Sequence, residues 1–310
     1  MTMTLESAMH IRQVPWFGIG TVVEEAPTSA EAIRLAGLDW EVVQKPVYCD
    51  GMKVPNRVGN VRMRVDHETH ALEKNVLGIV SPDYHPVQNS EAFDFFDSLI
   101  GEEAHYESAG CLGEGRQIFL TAKMERRWTV ADDDIDTYLL LSNGHDGCHA
   151  LRAAVTPIRV VCQNTLNLAL AKAKRSWMMF HSRDIKEKMR EARTALGLTA
   201  AYMDEFTEFG NRAVDAKVSA GQLEFLAGEL FRPLEMTEAS KKTMEKKMAE
   251  FEICLQAPDV RPYAGTVWGV LNAVSDFETH RGQTAAVLNK VLNDRLSLSK
   301  KAFAFLSGAV

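Results

Sequence analysis

The stretch Leu139–Leu170, LLLSNGHDGCHALRAAVTPIRVVCQNTLNLAL, constrains the fold most. It opens as an apolar strand, makes a polar turn, returns as a strand and runs into a helix. The turn dipeptides Asn143-Gly144 and Asp146-Gly147 sit between the two apolar runs, which is hairpin chemistry. The helical period then starts near Asn164, a capping residue type. A chain that switches from period 2 to period 3.6 in this way belongs to a mixed α+β class.

The rest of the first half supports α+β. Pro27-Thr28-Ser29 precedes AEAIRLAG, a short capped helix stopped by Gly37. Trp40–Tyr48 reads as a strand, with Pro46 marking an edge. Val58–Val65 alternates apolar and polar residues, Val76–Val80 is a further strand, and Tyr84–Gln88 is predicted to continue it. Asn89 or Ser90 caps a helix, EAFDFFDSLI. His105–Leu112 and Gln117–Lys123 flank Gly113-Glu114-Gly115, a hairpin signal. Ile135–Ser142 and Ala150–Val161 follow as strands. The turn spacing predicts one antiparallel meander of about five to seven strands.

The second half reads as helical. Apolar residues at Ile185, Met189, Ala192 and Leu196, and again at Met244, Met248, Phe251 and Leu255, fall at helical spacing. Val267, Val270, Leu271, Val274 and Phe277 do the same, and Pro233 and Pro258 separate the helices. The expected organisation is a mixed α+β core domain over 1–165 and a helical region packed on it over 166–310.

Several function classes drop out. No G-x-x-x-x-G-K-[ST], G-x-G-x-x-G or G-x-S-x-G occurs, so phosphate-cradling loops and the nucleophile elbow are absent and no cofactor is expected. The five cysteines form no C-x-x-C pair, which fits reduced thiols in the cytoplasm. No apolar run reaches the roughly 18 residues of a membrane span, and the N-terminus has no basic-then-apolar export pattern.

Three constellations carry chemistry. His145, Asp146 and His149 include metal-ligand types and are the expected ligands if a metal binds, although the same turn also reads as backbone-capping polar groups. Cys162, beside Arg159, Gln163 and Asn164, sits at a strand-to-helix junction, where a buried cysteine and capping groups are the commoner arrangement. The third is basic. The net charge is −7, yet Ala171–Arg193 holds eight positive and three negative side chains, a local balance of +5. Arg116, Lys123, Arg152, Arg159, Lys172, Lys174 and Arg175 are the expected phosphate contacts, with Trp177 or Trp128 as base-stacking aromatics. Both tryptophans can equally be core residues.

LGIVSPDYHPVQNSEAFDF (Leu77–Phe95), YESAGCLGEGRQIF (Tyr106–Phe119), LSNGHDGCHA (Leu141–Ala150), TPIRVVCQNTL (Thr156–Leu166) and GTVWGVLNAVSDFETHR (Gly265–Arg281) occur in matching order in a known family. On these motifs the chain resembles, from about Thr28 to Arg281, the phage/plasmid-like proteins that carry domain of unknown function 932. That family occurs on phages, prophages and plasmids, and the resemblance implies mobile-element DNA biology with no catalytic residues to carry over. The element order is also similar to that of phage single-strand annealing proteins, whose α+β cores line a basic groove for single-stranded DNA and assemble into rings. The expectation is a cytoplasmic, non-membrane, homo-oligomeric protein that binds single-stranded DNA, with annealing in recombination or replication as its role. Two alternatives stand beside it: a metal-dependent enzyme acting on nucleic acid or nucleotides, and a phage-encoded binder of a host protein.

Overall fold

The computed structural model describes residues 4–12, 19–65, 69–100, 104–125, 128–156, 176–185, 187–189, 199–280 and 297–310. Its centre is a seven-stranded sheet. The strands are β1 (Leu5–Ile11), β2 (Thr21–Val23), β6 (Ala104–Leu112), β7 (Gln117–Met124), β10 (Tyr138–Gly144), β11 (Leu151–Thr156) and β12 (Ser176–Met179). Their order is β12-β11-β10-β7-β6-β1-β2, and every neighbouring pair is antiparallel except β1 and β2. The β6–β7 turn places Gly113, Glu114 and Gly115 at positive φ, a conformation glycine adopts without strain. β10 is buried at all seven positions, so its apolar run is continuous rather than alternating.

A second sheet holds β3 (Glu41–Cys49), β4 (Met52–Val65) and β5 (Leu72–Val80), with β3 and β5 as edges. Asp50 and Gly51 link β3 to β4, both at positive φ, the pattern of a two-residue primed turn. The short pair β8 (Trp128–Val130) and β9 (Asp133–Ile135) stands apart. Helix α1 (Ser29–Leu35) starts at a Thr28–Glu31 capping box. Helix α2 (Asn89–Ile100) lays Phe93 and Phe96 into the main core, with Tyr106 of β6 stacked against Phe93.

The C-terminal half contains α3 (Thr199–Asp215), α4 (Ala220–Phe231), α5 (Glu238–Leu255), α6 (Val267–His280) and α7 (Ser297–Leu306). The helical stripes read over Met244–Leu255 and Val267–Phe277 face inward, while Ala192 and Leu196 of the first stripe lie outside the described residues. Phe251 and the α6 set Val267, Val270, Leu271, Val274 and Phe277 are buried, and Phe231, Phe251 and Phe277 interlock. The Glu278 carboxylate accepts the Leu298 and Ser299 amide protons and so caps the N-terminus of α7. One apolar core runs from the sheet into the helices. At its seam the Trp128 indole donates to Asp204 at 2.9 Å, and Gly210 of α3 leaves room for Val130.

The α+β class with a predominantly helical C-terminal half is observed, and the hairpin at Gly113–Gly115 shares one sheet with the strands on either side of the Asn143–His149 turn. The structure corrects four details. The strands form two main sheets instead of one meander, because β3–β5 pair only among themselves. Tyr84–Gln88 is not a ladder strand; side chains hold its backbone instead. Ser176–Met179, in the stretch read as helical, pairs with β11. Leu5–Ile11, unread as an element, is a central strand of the main sheet. Arg159–Asn164 and Lys172–Arg175 lie outside the described residues.

Candidate functional site

The site forms where the end of β10, the segment after β5 and the segment after β12 meet. Ser81–Gln88 crosses the end of the main sheet with few ladder bonds. Its polar backbone groups are met by side chains instead, as buried backbone requires. The Gln44 amide donates to the Tyr84 carbonyl at 2.9 Å. The Asn143 amide donates to the Val87 carbonyl at 3.0 Å. The His181 ring Nδ1 meets the His85 carbonyl at 3.2 Å, while the His85 amide donates back to the His181 carbonyl at 3.1 Å. Tyr84 stacks on His181 with ring centroids 4.7 Å apart, and its hydroxyl donates to the Gly144 carbonyl at 2.8 Å.

His145 is wholly enclosed. Its Nε2 lies 3.0 Å from the Asn89 side-chain oxygen, its amide donates to the Arg116 carbonyl, and its carbonyl accepts from Asn60 of β4 at 2.7 Å. Trp40 meets its ring edge-on at 5.4 Å. Asn89 gives its amide protons to the Leu38 carbonyl, so its oxygen is the acceptor and His145 carries its proton on Nε2. Asp146 closes the turn: one carboxylate oxygen accepts the Cys148 and His149 amides at 2.8 and 3.1 Å, and the other accepts from the His149 ring at 2.9 Å. Gly78 of β5 abuts this turn so closely that a Cβ there would sit 2.3 Å from the Asp146 carbonyl oxygen.

The electrostatics follow from this enclosure. Burial pushes the His145 ring down to about 3, and a charge on nearby His181 would lower it further. Burial likewise pushes His181 down to about 4. Both rings are therefore neutral at pH 7. Burial drives the Tyr84 hydroxyl up, and the Asp146 charge adds to that. Burial also opposes ionisation of Asp146, but the hydrogen bonds from His149 and Cys148 outweigh it and hold the carboxyl below its usual range.

Beside this network opens a cleft of about 300 Å³, lined among others by Asp83, Tyr84, Cys148, His149, Phe180 and His181. That is the lower end of the size range of small-molecule pockets. Phe180 stands at it with 74% of its surface exposed. The exposed Arg183 guanidinium pairs with Asp83.

Among the expected phosphate contacts, Arg116 is half-buried in the β6–β7 turn, and Lys123 pairs with Asp136 at 2.5 Å. Arg152 lies opposite Ser142 on one side and Met178 on the other. Arg159, Lys172, Lys174 and Arg175 fall outside the described residues. Trp177 is half-buried, 5.6 Å from the Phe95 ring, and Trp128 is buried. Of the expected metal ligands, Asp146 and His149 bind each other and His145 faces Asn89. No group of three or more His, Cys, Asp or Glu suited to a metal occurs among the described residues. Of the side chains expected to bond backbone around the turn or at the Gln163–Asn164 helix start, Asp146 bonds the turn, whereas the Asn143 amide reaches the Val87 carbonyl and the His145 ring reaches the Asn89 side chain; Gln163 and Asn164 lie outside the described residues. Tyr84, Phe180 and His181 were not singled out from the sequence. His181 sits within the basic run, and the carbonyl that orients it is 96 residues away.

Residues 76–298 match the family described as Domain of unknown function (DUF932), and the chain belongs to that family. No curated protein and no solved structure matches the chain. No helix among the described residues is long and apolar enough to cross a membrane.

Proposed function

We propose that this chain binds single-stranded nucleic acid, with single-stranded DNA as its ligand, at the β12 edge of the main sheet. The observation that carries the reading is the placement of Phe180. It is a large exposed aromatic at a cleft, and it follows directly on β12, an edge strand that the sequence leads into through Lys172, Lys174 and Arg175. Aromatic faces stack unpaired bases whatever their identity, and nearby cations neutralise the backbone. The Arg183–Asp83 pair is exposed, so exchanging Asp83 for a phosphate costs little. With a net charge of −7, attraction is confined to this local patch and the protein does not coat duplex DNA. Annealing by a homo-oligomer of mobile-element origin is the role this reading fits.

Fluorescence anisotropy of a labelled oligo-dT over a salt series tests it. Binding should weaken steeply with salt, and K172A/K174A/R175A should lower the log–log slope by roughly 2, at about 0.7 per phosphate contact. F180A should weaken binding by about 1–3 kcal/mol and leave the slope unchanged. Absence of binding at low salt removes the reading. A second reading, a metal-dependent enzyme acting on nucleic acid or nucleotides, is favoured by one observation, the set of unsatisfied acceptors beside the cleft.

A further inference from the structure

Three buried acceptor atoms near the cleft have no hydrogen-bond partner within the protein: His145 Nδ1, His181 Nε2 and Asn143 Oδ1. All three residues are nearly or fully enclosed. In each, the donor half is already committed. His145 gives its Nε2 proton to Asn89, His181 gives its Nδ1 proton to the His85 carbonyl, and Asn143 gives its amide proton to the Val87 carbonyl. What remains on each is a lone pair shielded from bulk solvent, which is costly unless something electron-poor meets it.

The three belong to one locus. Asn143 lies near the end of β10 and His145 directly follows that strand, its amide extending the pairing to the Arg116 carbonyl, so alternation sends the two side chains to the same side. Their partners and that of His181 are residues 85, 87 and 89, alternate positions of a single segment. Tyr84, stacked on His181, reaches the carbonyl of Gly144, the residue between Asn143 and His145. His181 is also close enough for its charge to bear on His145. The Asp146 carboxylate acts on both rings in the sense that favours a positive charge there.

We propose that His145 Nδ1, His181 Nε2 and Asn143 Oδ1 hold one divalent transition-metal ion of the imidazole-preferring kind, such as zinc or cobalt(II). Two imidazole nitrogens with one amide oxygen suit such ions and do not suit magnesium or calcium. Each imidazole already donates its other N–H to an oxygen, the outer-shell arrangement that orients metal-binding histidines. A single water has two protons and would leave one of the three acceptors unmet. Three protein donors leave a fourth position of a tetrahedral ion for water or a ligand. This set shares only His145 with the ligands expected from the sequence, since Asp146 and His149 satisfy each other. The site stands whether or not the chain binds DNA.

The test uses the untagged full chain, stripped with EDTA and reconstituted with cobalt(II), zinc or magnesium. One equivalent of cobalt or zinc retained after gel filtration, visible cobalt d–d absorption and a raised melting temperature with zinc but not magnesium are expected. H181A should weaken cobalt binding by about 100-fold or more, since losing even an outer-shell partner typically costs 10–100-fold. H149A should bind as the parent does. No stoichiometric cobalt or zinc in the parent protein overturns the site, and so does binding lost in H149A but kept in H181A. Should H181A fail to fold, X-ray absorption of the cobalt-loaded parent decides by itself: two imidazoles support the set, and a shell without imidazole excludes it.

Discussion

The two faces of the β3–β5 sheet have opposite characters. The inner face carries Val42, Asn60, Arg62 and Val80, all buried, with Leu77 buried at a bulge in β5. Its polar members reach into the rest of the molecule: Asn60 donates to the His145 carbonyl, and Arg62 grips the Glu6 carboxylate with both contacts at 2.9 Å while lying 4.9 Å over the Trp40 ring. The outer face shows solvent a row of apolar side chains, Val65, Leu72, Val76 and Ile79, each at least half exposed. Buried polar groups and exposed apolar ones are the informative departures from ordinary burial. Here they lie one residue apart on the same strands. The lesson is that strand formation and site building are separate demands. Outer-face Val and Ile satisfy the pleated backbone, whereas inner-face identities answer to the turn they touch.

The largest effect expected from this contrast is a pH dependence seated on the inner side alone. His145 and His181 are held down to about 3 and about 4 in the fold and titrate near 6.5 when unfolded. Below pH 6.5 the unfolded chain therefore takes up protons that the folded chain refuses. Their contribution is complete above 6.5 and declines as pH falls towards 4. At pH 5 each histidine has lost about 2 kcal/mol, about 4 kcal/mol for the two. Urea midpoints at pH 7 and pH 5 measure it, and H181F should remove about half of the difference. Equal midpoints at the two pH values would show the rings to be solvated.

Much of this contrast was legible in the sequence, and the reasons for the gaps are physical. Asn143-Gly144 and Asp146-Gly147 marked the turn because they are local chemistry, and the Gly113–Gly115 hairpin was readable for the same reason. Asp50-Gly51 carries an equally clear turn signal, and it is where β3 turns into β4. The division into two sheets was not legible, because pairing partners are chosen by tertiary packing that no window contains. Ser176–Met179 has the apolar content of a helix segment and becomes a strand only because β11 offers it an edge. His181 carries no motif. Its role depends on Tyr84 and His85, roughly a hundred residues earlier in the chain, and only the fold makes them neighbours.

Gly78→Ala should show the next largest effect. The added methyl would lie 2.3 Å from the Asp146 carbonyl oxygen and 2.7 Å from its carbonyl carbon, both backbone atoms that cannot swing aside. Either β5 or the turn must move. Overpacking of this kind costs about 1–3 kcal/mol. Displacement of the turn would also disturb the Asn60–His145 contact, so the substitution should weaken cobalt binding together with stability. A melt identical to that of the parent would mean that the turn yields freely and does not fix His145.

The smallest effect belongs to Gly59→Ala, diagonally across the β4–β5 ladder from Gly78 and facing the other way. Gly59 pairs with Ile79 in β5 and Lys45 in β3. A methyl there meets the Val47 side chain at 3.7 Å and the Lys45 carbonyl at 3.8 Å, ordinary contact distances. Glycine within a strand leaves the unfolded chain more entropy to lose, so alanine should be neutral or stabilising by up to about 1 kcal/mol. Cobalt binding should stay as in the parent. The pair of glycines thus isolates facing direction from strand identity, because both lie in the same ladder. A loss of 1 kcal/mol or more at Gly59, read from the urea midpoint at pH 7, would mean that the outer face is packed against something in solution, and the contrast between the faces would then be one of partners rather than of exposure.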